Sequence, residues 1–120
     1  MSLSKKLRNL RHAGNGIAIM WHKEVQFFLQ VAFGILAFAL AVALDVSSIE
    51  FLLLISSVVY LIASEILNTA IEILCDKLHP AHDAEIGKVK DLAGTFVIVS
   101  YLPLIIACAV IFGPRLFLLL

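Results

Sequence analysis

Charge is scarce in this chain. Only 15% of its 120 residues are charged, while 62% are hydrophobic and the mean hydropathy is +1.03. A soluble domain this small cannot bury so much apolar surface, so the solvent is lipid and an ordinary water-soluble fold is excluded. Net charge is missing as well. Nine basic and nine acidic residues cancel, so overall charge selects no partner, and nothing in the chain points to nucleic acid. Cysteine is limited to Cys75 and Cys108. They fall at different depths of the expected spans, which argues against a disulfide and for two buried soft hydrophobes. The basic N-terminal segment has no small-residue cleavage site behind an isolated apolar core, so it does not read as a signal peptide. Internal repeats and low-complexity segments are absent.

The few charges are placed in clusters. Lys5, Lys6, Arg8, Arg11 and Lys23 precede an apolar run from Phe27 to Leu44, which only Gln30 interrupts. The link from Asp45 to Glu50 has no Lys or Arg. A second run starts at Phe51; Lys77, Lys88 and Lys90 lie in the next polar segment, and Arg115 alone follows the third run, Leu92 to Phe112. These lengths predict one all-α membrane domain over residues 1–120, with transmembrane helices at about 27–45, 51–78 and 88–112. The alternation of basic residues puts the N-terminus and the 77–91 loop in the cytoplasm, with the 45–50 link and the C-terminus outside. Ala37 with Ala41, and Ala39 with Ala43, have the small-residue spacing of close helix contacts. Pro80 breaks the pattern and predicts a loop from His79 to Glu85. Pro103 should kink the third span and free the carbonyl of Val99.

Before the spans, Leu3, Leu7, Leu10, Gly14, Ile17, Trp21 and Glu24 recur at alternating steps of four and three. The positions between are mostly polar or basic. This predicts an amphipathic helix over residues 1–25 lying on the membrane surface, with Trp21 as an interface anchor. Gly14-Asn15-Gly16 weakens the helix and is expected to bend or divide it. Its stripe ends on a carboxylate, Glu24, at the same cytoplasmic depth as Glu72.

The second span carries the most informative feature. Glu65, Asn68, Glu72 and Asp76 are spaced three, four and four residues apart in SEILNTAIEILCD. That spacing puts all four on one side of the helix over roughly 16 Å of axis. Ionisable groups are expensive in or at the edge of a membrane and are functional candidates by default. Carboxylate oxygens are also the ligands Mg²⁺ prefers. With Lys88, Lys90 and Asp91 nearby, the set suits a metal or phosphate site; a proton or ion pathway lined by the stripe, as in a small oligomeric channel or proton-coupled transporter, and plain helix pairing are the alternatives. Glu65 lies roughly 10 Å deeper than Glu72. There it could accept a proton from a hydroxyl at the lipid headgroup level. Familiar nucleotide motifs are absent: there is no GxxxxGK[ST] loop and no VAIK, HRD or DFG. Three spans can hardly shield so long a polar stripe, so packing against another subunit is expected.

EILNTAIE, from Glu65 to Glu72, resembles the signature of the prokaryotic diacylglycerol kinase family, and KVKDLAG, from Lys88 to Gly94, resembles its second block. Asp76 falls at the expected distance between them. The likeness extends over nearly the whole chain: basic surface helix, Trp21, Glu24, Phe27, LDVSSIEFLLLISS from Leu44 to Ser57, and three spans in this order. The resemblance implies a homotrimeric integral membrane kinase of the bacterial inner membrane, with active sites shared between subunits. It implies ATP as co-substrate, Mg²⁺ as cofactor and a membrane lipid alcohol, diacylglycerol or undecaprenol, as acceptor. By position it implies Glu65 as general base, Glu24 and Glu72 as ligands of Mg²⁺, and Asn68, Asp76, Lys90, Asp91 and Lys5 as nucleotide-site residues. Two positions depart from the family pattern. Phe28 stands where members commonly carry Arg, and Gly94 where diacylglycerol enzymes have a small hydroxyl residue. Both bear on the acceptor.

Overall fold

The computed structural model describes residues 2–79 and 81–120. It contains four helices: α1 (Leu3–Lys23), α2 (Val25–Ala43), α3 (Ser48–Leu78) and α4 (Ala84–Leu119). The last three are each long and apolar enough to cross a membrane, so the protein is a multi-pass membrane protein with three spans. Met1 and Pro80 lie outside the described residues, and so does the chain break expected at that proline.

Helix boundaries follow local capping chemistry. The Ser2 hydroxyl caps α1 by accepting from the Lys5 N–H. The helix then runs undivided through Gly14-Asn15-Gly16, against the expected division: two glycines cost about 1 kcal/mol each, which a capped 21-residue helix absorbs. A single extended residue, Glu24, ends α1 and begins α2. At the far end of α2, Asp45 adopts the left-handed conformation (φ 53°). The Asp45 N–H donates to the Val42 carbonyl and the Val46 N–H to the Ala41 carbonyl, both at 3.2 Å, so a Schellman turn closes the helix. α4 begins at Ala84, earlier than the loop to Glu85 and the span start near residue 88 allow. Asp83 is the reason: its carboxylate accepts from the N–H groups of Glu85 and Ile86 at 3.0 and 3.1 Å, an N-cap overlooked in the sequence. α4 also continues through Pro103 and Pro114 to Leu119. Both prolines are exposed, and Pro103 borders the groove between α4 and Leu53 and Ser57 of α3.

α3 is the centre of the bundle. It packs most extensively on α4 and next on α2, while α1 meets the start of α2. There Trp21 stands edge-on to Phe27 and Phe28, with ring centroids 6.3 and 5.2 Å apart. Phe28, the departure from the family's arginine, thus serves packing. Leu3, Leu7, Leu10, Ile17 and Trp21 are exposed, so the apolar face of α1 has no cover within the chain. The apolar core fills the half of the bundle nearer the α2–α3 link, around Ala37, Ala41, Leu54, Val58, Leu61, Leu104 and Ile111. Of the two small-residue pairs, Ala37 and Ala41 are buried while Ala39 and Ala43 face outward. Ser57 donates to the Leu53 carbonyl at 2.8 Å, the local bond expected of a serine in an apolar helix.

The outer end is locked by one carboxylate. Glu50 completes a capping box with Ser47 at the start of α3. It also accepts two hydrogen bonds from Arg115 of α4, both at 2.8 Å, a bidentate pair. Arg115 donates in addition to the Ile111 carbonyl at 2.7 Å. The sequence pattern alone used Arg115 only as a topology charge.

Gly34 sets how closely α2 approaches α3: a methyl group added there would come within 2.8 Å of Val58 Cγ1. Gly34→Leu is expected to lower unfolding stability in detergent by about 1–3 kcal/mol, the cost of overpacking. Thermal unfolding of parent and variant in the same micelles checks this; an unchanged midpoint refutes the tight α2–α3 contact.

Candidate active site

Membrane burial makes each polar side chain in the inner half of α3 need a partner, and α2, α4 and the α1–α2 joint provide them. The partners are ordered by depth. Deepest is Glu65, 7% exposed. Its Oε2 accepts from Gln30 Nε2 of α2 at 3.3 Å, and the same nitrogen donates to the Tyr101 hydroxyl of α4 at 3.0 Å. One amide therefore ties all three spans together. One turn nearer the C-terminus of α3, Thr69 Oγ1 donates to Glu24 Oε1 across a long 3.5 Å contact. That contact brings the joint carboxylate against α3. Asn68 Nδ2 donates to Glu72 Oε1 at 3.2 Å, while Asn68 Oδ1 is buried without a hydrogen-bond partner. Nearest the helix end, Lys90 of α4 pairs with Asp76. The lysine ammonium is held beside the stripe, and Asp76 itself is exposed.

The sequence-predicted residues thus fall into two groups. Glu24, Glu65, Asn68, Glu72, Asp76 and Lys90 lie along one polar line that runs inward from the ends of α3 and α4. Asp91 is exposed and outside this line; its backbone carbonyl accepts from Thr95 Oγ1. Lys88 pairs with Glu85 within α4. Lys5 sits near the start of α1, roughly 28 Å of helix axis from Glu24, and is exposed.

Three participants escaped the sequence reading: Gln30, Thr69 and Tyr101. Gln30 did carry a signal, as the one polar residue in the run from Phe27 to Leu44. A lone amide at that depth must find a partner. Its carbonyl oxygen, Oε1, is buried and unpartnered. Gln30 and Tyr101 also border a cavity of about 450 Å³ between α2 and α4, walled mainly by Leu29, Phe33, Leu61, Leu104 and Ile105.

Chemically, the line offers oxygen donors and a cation at the water side and a buried carboxylate at the lipid side. Among the described residues no three of His, Cys, Asp or Glu gather as an all-protein metal cage. Two carboxylates completed by substrate phosphates are, however, a usual arrangement for Mg²⁺. The unpartnered Asn68 oxygen, beside Glu72, belongs to the same hard-ligand chemistry.

A family model described as prokaryotic diacylglycerol kinase matches residues 11–112. The diacylglycerol kinase of Escherichia coli (strain K12) is 30% identical over 100 residues, covering 83% of this chain and 82% of that protein. The diacylglycerol kinases of Escherichia coli O157:H7 and Shigella flexneri match at the same identity and coverage. With three apolar spans and a match that reaches from α1 through most of α4, the chain belongs to the prokaryotic diacylglycerol kinase family of membrane lipid kinases.

Proposed function

We propose that this kinase transfers the γ-phosphoryl group of ATP to the free hydroxyl of diacylglycerol, giving phosphatidate and ADP. The observation that carries the reading is the depth order of the polar line. Glu65 takes the hydroxyl proton as the alcohol oxygen attacks γ-phosphorus and the bond to the β-phosphate oxygen breaks. Its hydrogen bond from Gln30 fixes the carboxylate and turns it to one side. Lys90 receives phosphate charge after exchanging Asp76 for the nucleotide, and Asp76, Asn68 and Asp91 orient the nucleotide at the water side. Lys5, roughly 28 Å of helix axis from Glu24, would add a cation to that site only from the α1 of a neighbouring subunit. Glu24 and Glu72, with the free Asn68 oxygen beside Glu72, would hold Mg²⁺, which when bound offsets negative charge on the phosphates.

We place the enzyme in the bacterial inner membrane, with the N-terminus and the 77–91 loop cytoplasmic and the C-terminus outside. α1 lies on the cytoplasmic leaflet, where its bare apolar face meets lipid and its lysines and arginines meet anionic headgroups. A homotrimer with sites shared between subunits fits the exposed inner ends of α3 and α4. Undecaprenol is the rival acceptor. Phe28 and Gly94 favour it, since neither offers a charge or hydroxyl to a glyceride headgroup. A competition assay between diacylglycerol and undecaprenol in mixed micelles with Mg·ATP decides between them.

Glu65→Gln is expected to lower kcat on dioleoylglycerol by roughly 10²–10⁴-fold, with ATP binding little changed. Turnover at the parent rate removes Glu65 from the base role. Glu24→Ala and Glu72→Ala are expected to raise the Mg²⁺ concentration for half-maximal activity about tenfold, a loss of about 1.4 kcal/mol. Excess Mg²⁺ should partly restore their rates. Titrating Mg²⁺ at fixed ATP reads this directly, and a Mg²⁺ curve that overlays the parent's rules the assignment out.

A further inference from the structure

Tyr101 has an unspent proton. Gln30 must turn its amide nitrogen toward the Glu65 carboxylate, because the amide oxygen would face it with like charge. That same nitrogen lies 3.0 Å from the Tyr101 hydroxyl, so the tyrosine oxygen accepts there and its O–H is free to donate elsewhere. Tyr101 and Gln30 both border the 450 Å³ cavity between α2 and α4. Gln26, which is exposed, and Cys108 also line the cavity; its remaining walls are apolar, and Leu29, Phe33 and Ile105 among them are exposed, so it opens toward the bilayer. A donor at the end of an apolar cleft, one amide away from the buried carboxylate, needs an acceptor that arrives from lipid.

Resting on the diacylglycerol reading above, we propose that the Tyr101 hydroxyl donates to an ester carbonyl of the acceptor lipid. That contact makes Tyr101 a specificity-determining residue for glycerol esters. The glycerol hydroxyl and its neighbouring ester carbonyl are close together on one backbone. Glu65 and Tyr101 are likewise held together by a single bridging nitrogen. Gln30 is the spacer, a positioning residue 6% exposed whose own carbonyl oxygen has no partner. A buried orphan acceptor costs stability, and the amide keeps it because its nitrogen must serve both sides. The acyl chains of the lipid then follow the apolar walls outward between α2 and α4.

The test pairs one substitution with two acceptors in full-length protein in mixed micelles with Mg·ATP. Dioleoylglycerol carries ester carbonyls; the corresponding dialkyl ether of glycerol has the same hydroxyl and backbone without them. The parent is expected to show a KM about fivefold to tenfold lower for the diester, the worth of one hydrogen bond. Tyr101→Phe should erase the preference by raising KM for the diester by that factor more than KM for the diether; a loss of kcat shared by both acceptors is the part that comes from Gln30 losing its acceptor. If Tyr101→Phe leaves the preference for the diester in place, Tyr101 acts only by holding Gln30 and the ester contact is wrong. Equal parent KM for both acceptors overturns it too. Should the parent phosphorylate neither glyceride, the diacylglycerol reading itself falls.

Discussion

A carboxylate inside the apolar part of a bundle must be hydrogen-bonded, and the arrangement of this bundle depends on how Glu65 meets that demand. Its partner is an amide from α2 that simultaneously holds a hydroxyl on α4. Because each polar group can reach only neighbours at its own height, that bridge fixes the axial register of three spans at once. Apolar contacts alone are tolerant of sliding; a buried polar bridge is not, since a shift of one turn leaves several groups unpaired. The other pairs, Thr69 with Glu24 and Asp76 with Lys90, then fall into line at successive levels toward water.

The two ends of the bundle are built on different terms. Outward from Glu65 the interior is apolar, with Leu54 and Ile111 fully enclosed, and it finishes at the Glu50–Arg115 pair that joins α3 to α4. Inward the same helices exchange packing for polar contacts, several of them long or exposed. Such contacts are easily remade when a charged ligand arrives, whereas the outer half has no reason to move. Helices clamped at one end and polar at the other can admit a nucleotide without losing their packing. The tight contact of α2 with Val58 of α3 at Gly34 lies one turn along α2 from the Gln30 bridge and keeps that amide within reach of α3.

Much of this was legible in the chain. Three apolar runs, a stripe of small residues at Ala37 and Ala41 and the Glu65–Asp76 spacing each follow from one periodicity, and each is an intrahelical property. The partners were harder, because pairing across helices has no period along one sequence. Gln30 was visible as an interruption without a destination, and Tyr101 looked like any aromatic in a span. Asp83 lies in the short polar stretch after Pro80, and a cap, being a single residue, leaves no periodic signal along the chain. Gly14 and Gly16 carried the opposite error. Their propensity is a local cost, and the length of α1 outweighs it.

The joint between α1 and α2 is one residue long, and that residue is Glu24. A longer loop would let the surface helix rock on the bilayer without consequence. Here there is no slack. α1 is a stiff arm of roughly 32 Å pivoting on the carboxylate that touches Thr69. Any tilt of that arm, whether from a change in headgroup charge or in the lateral pressure of the leaflet, is delivered at the pivot as a displacement of Glu24. The reach of the surface helix over the membrane and the alignment of the polar line are therefore one mechanical variable.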